Sequence, residues 1–261
     1  EARPAVKAPV NAAAAAPKEG WDLWTHRMTD AAVPVFLALQ LPQIVKNWGA
    51  LSTGLVAGMA VLPWLGFAAG ILGNSLLLAR FLANREPAAA RVQAVGILAS
   101  AAVLGQLFAA GFAPAWGLAA VIAMGGASIT MGVLQRTGRL SPRAAKVWAN
   151  AAGWTATALF MYGPAAQIMA NLAHPAVVAG LSLLSVGLGT LGNLLMLPRA
   201  VYTRDWVWFT GSAWASLVGG LGVAGTMALA GALAPVLVWS FAAFLPAYLG
   251  LIFYQARRAR K

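Results

Sequence analysis

Cysteine is absent from the 261 residues, which excludes disulfides, thiolate chemistry and cysteine-ligated metals. Carboxylates are nearly as scarce: six Asp and Glu stand against eighteen Lys and Arg. All six (Glu1, Glu19, Asp22, Asp30, Glu86 and Asp205) fall outside the long apolar runs. Charged residues of both signs make up 9% of the chain, whereas a soluble domain carries roughly 25%. Too few charges are present to coat a globule in water, and 61% of the residues are hydrophobic. The composition therefore defines an integral membrane protein. In that setting the net charge of +12 does not call for nucleic acid. It asks which side of the bilayer the positive residues occupy.

Apolar runs are what the chain has in quantity. A hydrocarbon core of about 30 Å needs roughly 20 apolar residues in a helix, and candidate spans lie at 31–48, 55–82, 92–112, 115–135, 147–171, 176–199, 207–230 and 234–256. Residues 92–135 and 207–256 are apolar almost throughout; as single helices they would run about 66 and 75 Å at 1.5 Å per residue. Both are expected to fold back, at Gly111-Phe112-Ala113-Pro114 and at Gly231-Ala232-Leu233-Ala234-Pro235. The run 147–171 is the most polar, with Asn150, Thr155, Thr157, Gln167 and Asn171. Residues 1–20, rich in Ala, Pro, Lys and Val, are expected to be a disordered tail. The chain begins at Glu1 rather than Met, and its basic, Ala-rich start reads as the remnant of an organelle transit peptide.

Charge parity supports eight spans. With that number, one face collects Arg3, Lys7, Lys18, Arg27, Arg80, Arg85, Arg91, Arg136, Arg139, Arg143, Lys146, Arg199, Arg204, Arg257, Arg258, Arg260 and Lys261. The other keeps Lys46 alone, a split of 17 to 1. Removing the polar fifth span would transfer Arg199, Arg204 and the C-terminal cluster, and the asymmetry would collapse. The positive-inside rule then places both termini on the basic side.

Two stretches of the chain match each other. Gln43-Ile44-x-x-Asn47 is echoed by Gln167-Ile168-x-x-Asn171, 124 residues on. Gly70-x-Leu72-Gly73-Asn74-x-Leu76-x-Leu78-x-Arg80 and Arg85-Glu86 are echoed, 119 residues on, by Gly189-x-Leu191-Gly192-Asn193-x-Leu195-x-Leu197-x-Arg199 and Arg204-Asp205. The expected organisation is a tail (1–20), a three-helix repeat (21–112), a linker helix with a basic loop (113–146), a second three-helix repeat (147–232) and an extra helix with a basic C-terminus (233–261). A three-span unit followed by one returning span re-enters with the same orientation. The fold class is thus all-α, with parallel repeats of a kind found in transporters.

No Asp or Glu lies inside a span, so none is at depth to relay a proton or hold a cation, and no carboxylate pair, Ser/His/Asp set or metal cluster lies at depth for catalysis. His26 precedes the first span and His174 falls in an outer loop. The expectation is a neutral substrate, no enzymatic activity and no cofactor or metal. Amides are the polar groups at depth: Gln40, Gln43, Asn74, Gln106, Asn150, Gln167 and Asn193. Asn74 and Asn193 are matched, and an amide both donates and accepts, which suits sugar hydroxyls. The plainer alternative is that each Asn bonds nearby backbone in a Gly-rich helix contact. Pro42 is expected to break the first span beside Gln43 and Pro164 the fifth beside Gln167, and both are candidate hinges. Of eleven tryptophans, most sit at span ends as an interfacial belt; Trp64 and Trp154 lie deeper and are candidates for stacking on a sugar ring. The C-terminal Arg257-Arg258-Ala259-Arg260-Lys261 reads as a stop anchor able to bind anionic lipid.

Gln40-Leu41-Pro42-Gln43-Ile44, followed by Asn47, resembles the Pro-Gln motif of the PQ-loop transporter superfamily. The ordered set Leu39-Gln40-Leu41-Pro42-Gln43-Ile44, Leu62-Pro63-Trp64-Leu65-Gly66, Leu72-Gly73-Asn74, Val92-Gln93 and Gln106-Leu107 resembles the plastid maltose exporters, the maltose excess family. The likeness is closest over residues 21–107. It implies two three-helix bundles joined by one helix, and a maltose carrier of the chloroplast inner envelope with its basic side in the stroma. The chain departs from that pattern at Pro164-Ala165-Ala166-Gln167, where Pro and Gln are not adjacent, and in its eighth span. Besides a neutral sugar, membrane lipid and an oligomeric or membrane-complex partner are expected. Two alternatives follow: a non-transporting membrane subunit of a larger photosynthetic complex, and a PQ-loop carrier of amino acids, whose zwitterions would want a buried counter-charge that the spans lack.

Overall fold

A computed structural model describes residues 20–60, 62–173, 178 and 183–259. Eight long helices and no strand occur among them: α1 (Gly20–Thr53), α2 (Trp64–Ala83), α3 (Pro87–Ala109), α4 (Ala115–Arg136), α5 (Pro142–Ala173), α6 (Leu183–Thr203), α7 (Trp206–Leu229) and α8 (Pro235–Arg258). All but α5 are long and apolar enough to cross a bilayer. The polar side chains that diluted the fifth run in the sequence keep α5 below that measure.

Local chemistry punctuates the chain. Gly54, Gly111, Gly138 and Gly231 take positive φ of 72°, 80°, 72° and 73° just past helix ends, where a left-handed residue closes the last turn. Pro87, Pro142 and Pro235 open α3, α5 and α8, the position at which a missing N–H costs nothing. Ser141 Oγ accepts from Ala144 N at 3.3 Å, and Asp205 caps α7 by accepting from Trp208 N at 3.1 Å.

Three expectations need correction. The second run is not helical from residue 55: after Gly54 the chain makes a short 3-10 turn, Val56–Met59, and α2 starts only at Trp64, behind Pro63. The first helix begins well before residue 31, at Gly20, so residues 21–30 are helical rather than a lead-in. The helix is not broken at Pro42; α1 runs on through Pro34 and Pro42, and α5 through Pro164, because one missing ladder bond does not end a helix of more than thirty residues. The tail 1–19, most of 174–182 (His174 included) and Arg260-Lys261 lie outside the described residues.

Packing arranges six helices in a closed ring, in the order α1–α3–α2–α5–α7–α6 and back to α1. Helices α4 and α8 stand outside it, α4 on α2 and α8 on α6 and α7. A seam of glycines brings α4 close. A Cβ on Gly117, Gly125 or Gly132 would stand 2.8 Å from the Trp64 ring, 3.1 Å from Ser75 Oγ and 2.6 Å from Ala79 Cα. Small residues permit such approach where no hydrophobic effect drives helices together. The positions 120 further on are Leu237, Leu245 and Ile252, and these larger side chains hold α8 off. An apolar cleft of about 300 Å³ opens there, lined by Thr190, Leu191, Gly220, Leu237 and Phe241 among others.

Core distribution differs along the ring axis. One buried cluster draws on all six ring helices: Ala32 of α1, Leu77 and Phe81 of α2, Ala89, Ala90 and Val92 of α3, Ala156 of α5, Met196 and Ala200 of α6, and Trp208 of α7. Its members lie toward the basic end. The cluster toward the opposite end, around Met59, Ile71, Leu104 and Leu107, is packed by α1 to α4 and their connections alone.

Candidate functional site

Three successive residues of α2 address three different neighbours, as a 100° step per residue dictates. Gly73 receives the Phe160 ring of α5, with Cζ 2.9 Å from where its Cβ would be. Asn74 turns toward α3: a Cβ on Gly96 would meet its Oδ1 at 2.6 Å. Ser75 faces Gly125 of α4. Corresponding contacts recur in α6. Gly192 receives the Phe36 ring of α1, Cζ lying 2.6 Å from its Cβ position, and Leu194 O accepts from Tyr248 Oη of α8 at 2.8 Å. Phe36 and Phe160 are 124 residues apart, the offset of the matched Gln-Ile-x-x-Asn segments.

The anticipated site residues occupy defined positions. Asn74 Nδ2 donates to Gly70 O at 2.7 Å and Asn193 Nδ2 to Gly189 O at 2.8 Å. Each amide is thus tied to its own helix, and no hydrogen bond joins the two among the described residues. Each still keeps an N–H and its oxygen for a further partner. Gln43 Nε2 donates to Asn47 Oδ1 at 2.7 Å, and Gln167 Nε2 to Asn171 Oδ1 at 2.8 Å. Pro164 touches α7: a Cβ on Gly219 would stand 3.3 Å from its Cγ. Pro42 is exposed. Trp64 packs edge to face on Trp116, ring centres 5.6 Å apart, and covers Gly117. Trp154 is 50% exposed, on the face of α5 away from buried Ala152 and Ala156. The structure therefore brings Asn74 and Asn193 next to the Phe160 and Phe36 contacts, and sets both tryptophans away from them.

At the basic end lies a feature that composition did not single out. Arg80, near the end of α2, donates from Nε and Nη2 to both carboxylate oxygens of Asp205 at 3.1 and 2.9 Å. Its Nη1 donates to Ala149 O of α5 at 2.8 Å. Arg199, in the matched place on α6, grips Glu86 in the same two-pronged way, at 2.9 Å on both oxygens. It also donates to Asp22 and, at 3.3 Å, to Thr25 Oγ1 of α1. The partners are exchanged: the arginine of each half binds the acid of the other. The side chains are 8–17% exposed. With Asp30 on Arg91, every carboxylate among the described residues is in an ion pair. The sequence signal was present in the matched Arg80/Arg199 and Glu86/Asp205, but nothing in it stated the exchange.

Helices that close into a ring, with all charges but Lys46 gathered at one end and amides and aromatic rings at depth, define an all-α membrane protein. The family model described as the maltose excess protein 1 N-terminal domain matches residues 15–141. The chloroplastic maltose excess protein 1 of Arabidopsis thaliana is 33% identical over 260 residues, covering 77% of this chain and 63% of the relative. The chloroplastic maltose excess protein 1-like protein of Oryza sativa subsp. japonica is 34% identical over 260 residues, covering 77% and 65%. The chain is thus similar to the maltose excess family, and its match spans a little under two thirds of the length of these relatives. No solved structure matches it.

Proposed function

We propose that the protein is a facilitative carrier of a neutral sugar, maltose, across the chloroplast inner envelope, with both termini on the stromal side. The observation that carries this reading is the six-helix ring. It is built from two matched bundles, α1–α3 and α5–α7, in contact along α1–α6 and α2–α5. Two bundles of like orientation, related by an axis along the membrane normal, can rock against each other and expose the ring axis to one side at a time. Maltose enters the reading through the relatives' names and the resemblance of residues 21–107. The depth of the ring holds no charge, which supports a neutral substrate moving down its own gradient. In this reading Asn74, Asn193, Gln43 and Gln167 meet the sugar, with Pro42 and Pro164 at the moving parts. The rings to test first beside the sugar are Phe36 and Phe160, ahead of Trp64 and Trp154.

Purified protein in liposomes, without a proton gradient, is expected to admit labelled maltose saturably and to exclude sucrose. Asn74→Ala and Asn193→Ala are each expected to slow entry by about tenfold, the equivalent of about 1.4 kcal/mol. Full-rate transport in both variants would remove the amides from the site. No sugar entry from folded protein would turn the reading toward a non-transporting subunit of a larger membrane complex.

A further inference from the structure

The exchanged ion pairs tie one bundle to the other at the basic end, where the all-helix core cluster fills the axis. Arg80 and Glu86 belong to the α2–α3 hairpin, and Arg199 and Asp205 to the α6–α7 hairpin. Each hairpin thus presents one cation and one anion to the other. Neither pair survives a separation of the hairpins, because each needs a partner on the opposite side.

The two ties are unequal. Thr25 and Ala149, 124 residues apart, stand in like positions and accept from Nη1 of Arg199 and Arg80 respectively. Three residues before Thr25 is Asp22, a second carboxylate on Arg199. Three residues before Ala149 is Lys146, which carries the sign of Arg80. So Arg199 is held by two acids and Arg80 by one. The extra acid is supplied by the first turns of α1, the part of that helix lying outside the apolar run.

We propose that these crossed pairs latch a gate at the basic end, and that the start of α1 straps the Arg199 side shut through Asp22. The proposal rests on the carrier reading for its purpose: it makes this structure the state closed toward the basic side. The Arg80–Asp205 tie is the weaker and parts first. Opening the Arg199 side requires α1 and α6 to separate at their basic ends.

Because the chain has no cysteine, a single reporter can be installed without background. Met196→Cys sits in the axial cluster at 4% exposure, about one turn deeper than Arg199. In proteoliposomes, a membrane-impermeant maleimide presented to the basic face is expected to label it slowly. Asp22→Asn and Arg80→Gln, each in the reporter background, are expected to speed labelling on the order of tenfold or more, since each strips a buried partner. The exchange Arg80→Asp with Asp205→Arg is expected to restore slow labelling, which a loosened or misfolded protein would not do. Asp30→Asn breaks a pair internal to the first bundle and is expected to leave the rate unchanged. Unchanged labelling in Asp22→Asn and Arg80→Gln would overturn the latch, and so would equal acceleration in Asp30→Asn. The readout needs no sugar: latch-dependent labelling in a protein that moves no maltose would overturn the substrate reading and leave the latch standing.

Discussion

At the scale of single residues, close approach is governed by where a side chain is missing. Gly132 lies on the backbone of Ala79, so a side chain there meets Cα at 2.6 Å, an atom that cannot step aside. Gly132→Leu is expected to destabilise the protein by about 3 kcal/mol, the upper part of the range for overpacking. The check is a lowered thermal unfolding midpoint in detergent. Gly126→Leu, six residues earlier on the same helix and with open space at its Cβ, is expected to leave the midpoint unchanged. Arg80, Arg199, Glu86 and Asp205 were visible in the sequence as matched residues, because charges at a fixed offset stand out in an apolar chain. Their exchange across the axis was not visible. A sequence offset relates equivalent residues and carries no information about which residues meet. Phe36 and Phe160 escaped notice for another reason: aromatic residues are common in such helices, and only the glycine each one covers sets these two apart.

Among the helices, α7 differs most from its counterpart. Its residues Ala215–Gly222 are wound as a π-helix, whereas α3 is regular. Arg85 and Arg204, 119 apart, share a left-handed backbone, with φ of 58° and 56°. Gly111 and Gly231, 120 apart, share φ of 80° and 73°. One residue has therefore been gained between these landmarks, and the π turn absorbs it while the flanking parts of the helix stay in register. Deleting Leu217 is expected to convert α7 to a regular helix with the unfolding midpoint nearly unchanged. Deleting Ile97 from α3 would rotate one end against the other by 100° and is expected to abolish folding. Fluorescence-detected size exclusion of both variants checks the pair of outcomes. None of this was legible in the sequence, where 207–230 read as one ordinary span. The eight helices were legible, and so were the folds at Gly111 and Gly231, since Gly and Pro act locally. Helix α5 was recovered by charge parity although its own hydropathy is weak. The start of α2 was missed because the apolar run begins at Leu55 while the α-helix begins only at Trp64, and hydropathy registers apolarity, not helix.

For the whole molecule, the ring and the charge split make one joint demand: α5 must cross the bilayer. A cysteine at Ser141, between α4 and α5, and one at Ala232, between α7 and α8, are expected to react with impermeant maleimide from opposite faces. The Ser141 reporter is expected to share its face with one placed at Arg258. If Ser141→Cys and Arg258→Cys reacted from opposite faces, the number of crossings between them would be odd. The eight-span topology would then fail.

The hairpins at Arg85 and Arg204 join their helices through three and two residues, each held in a left-handed turn that gives little slack. Each hairpin therefore moves as a stiff unit, and in the proposed carrier neither of these two turns can swing aside to admit a sugar. The basic end opens only when whole bundles tilt, a motion of microseconds to milliseconds. That ties flux to a clock: molecules pass one per swing, at rates that level off as sugar rises, and never as a stream.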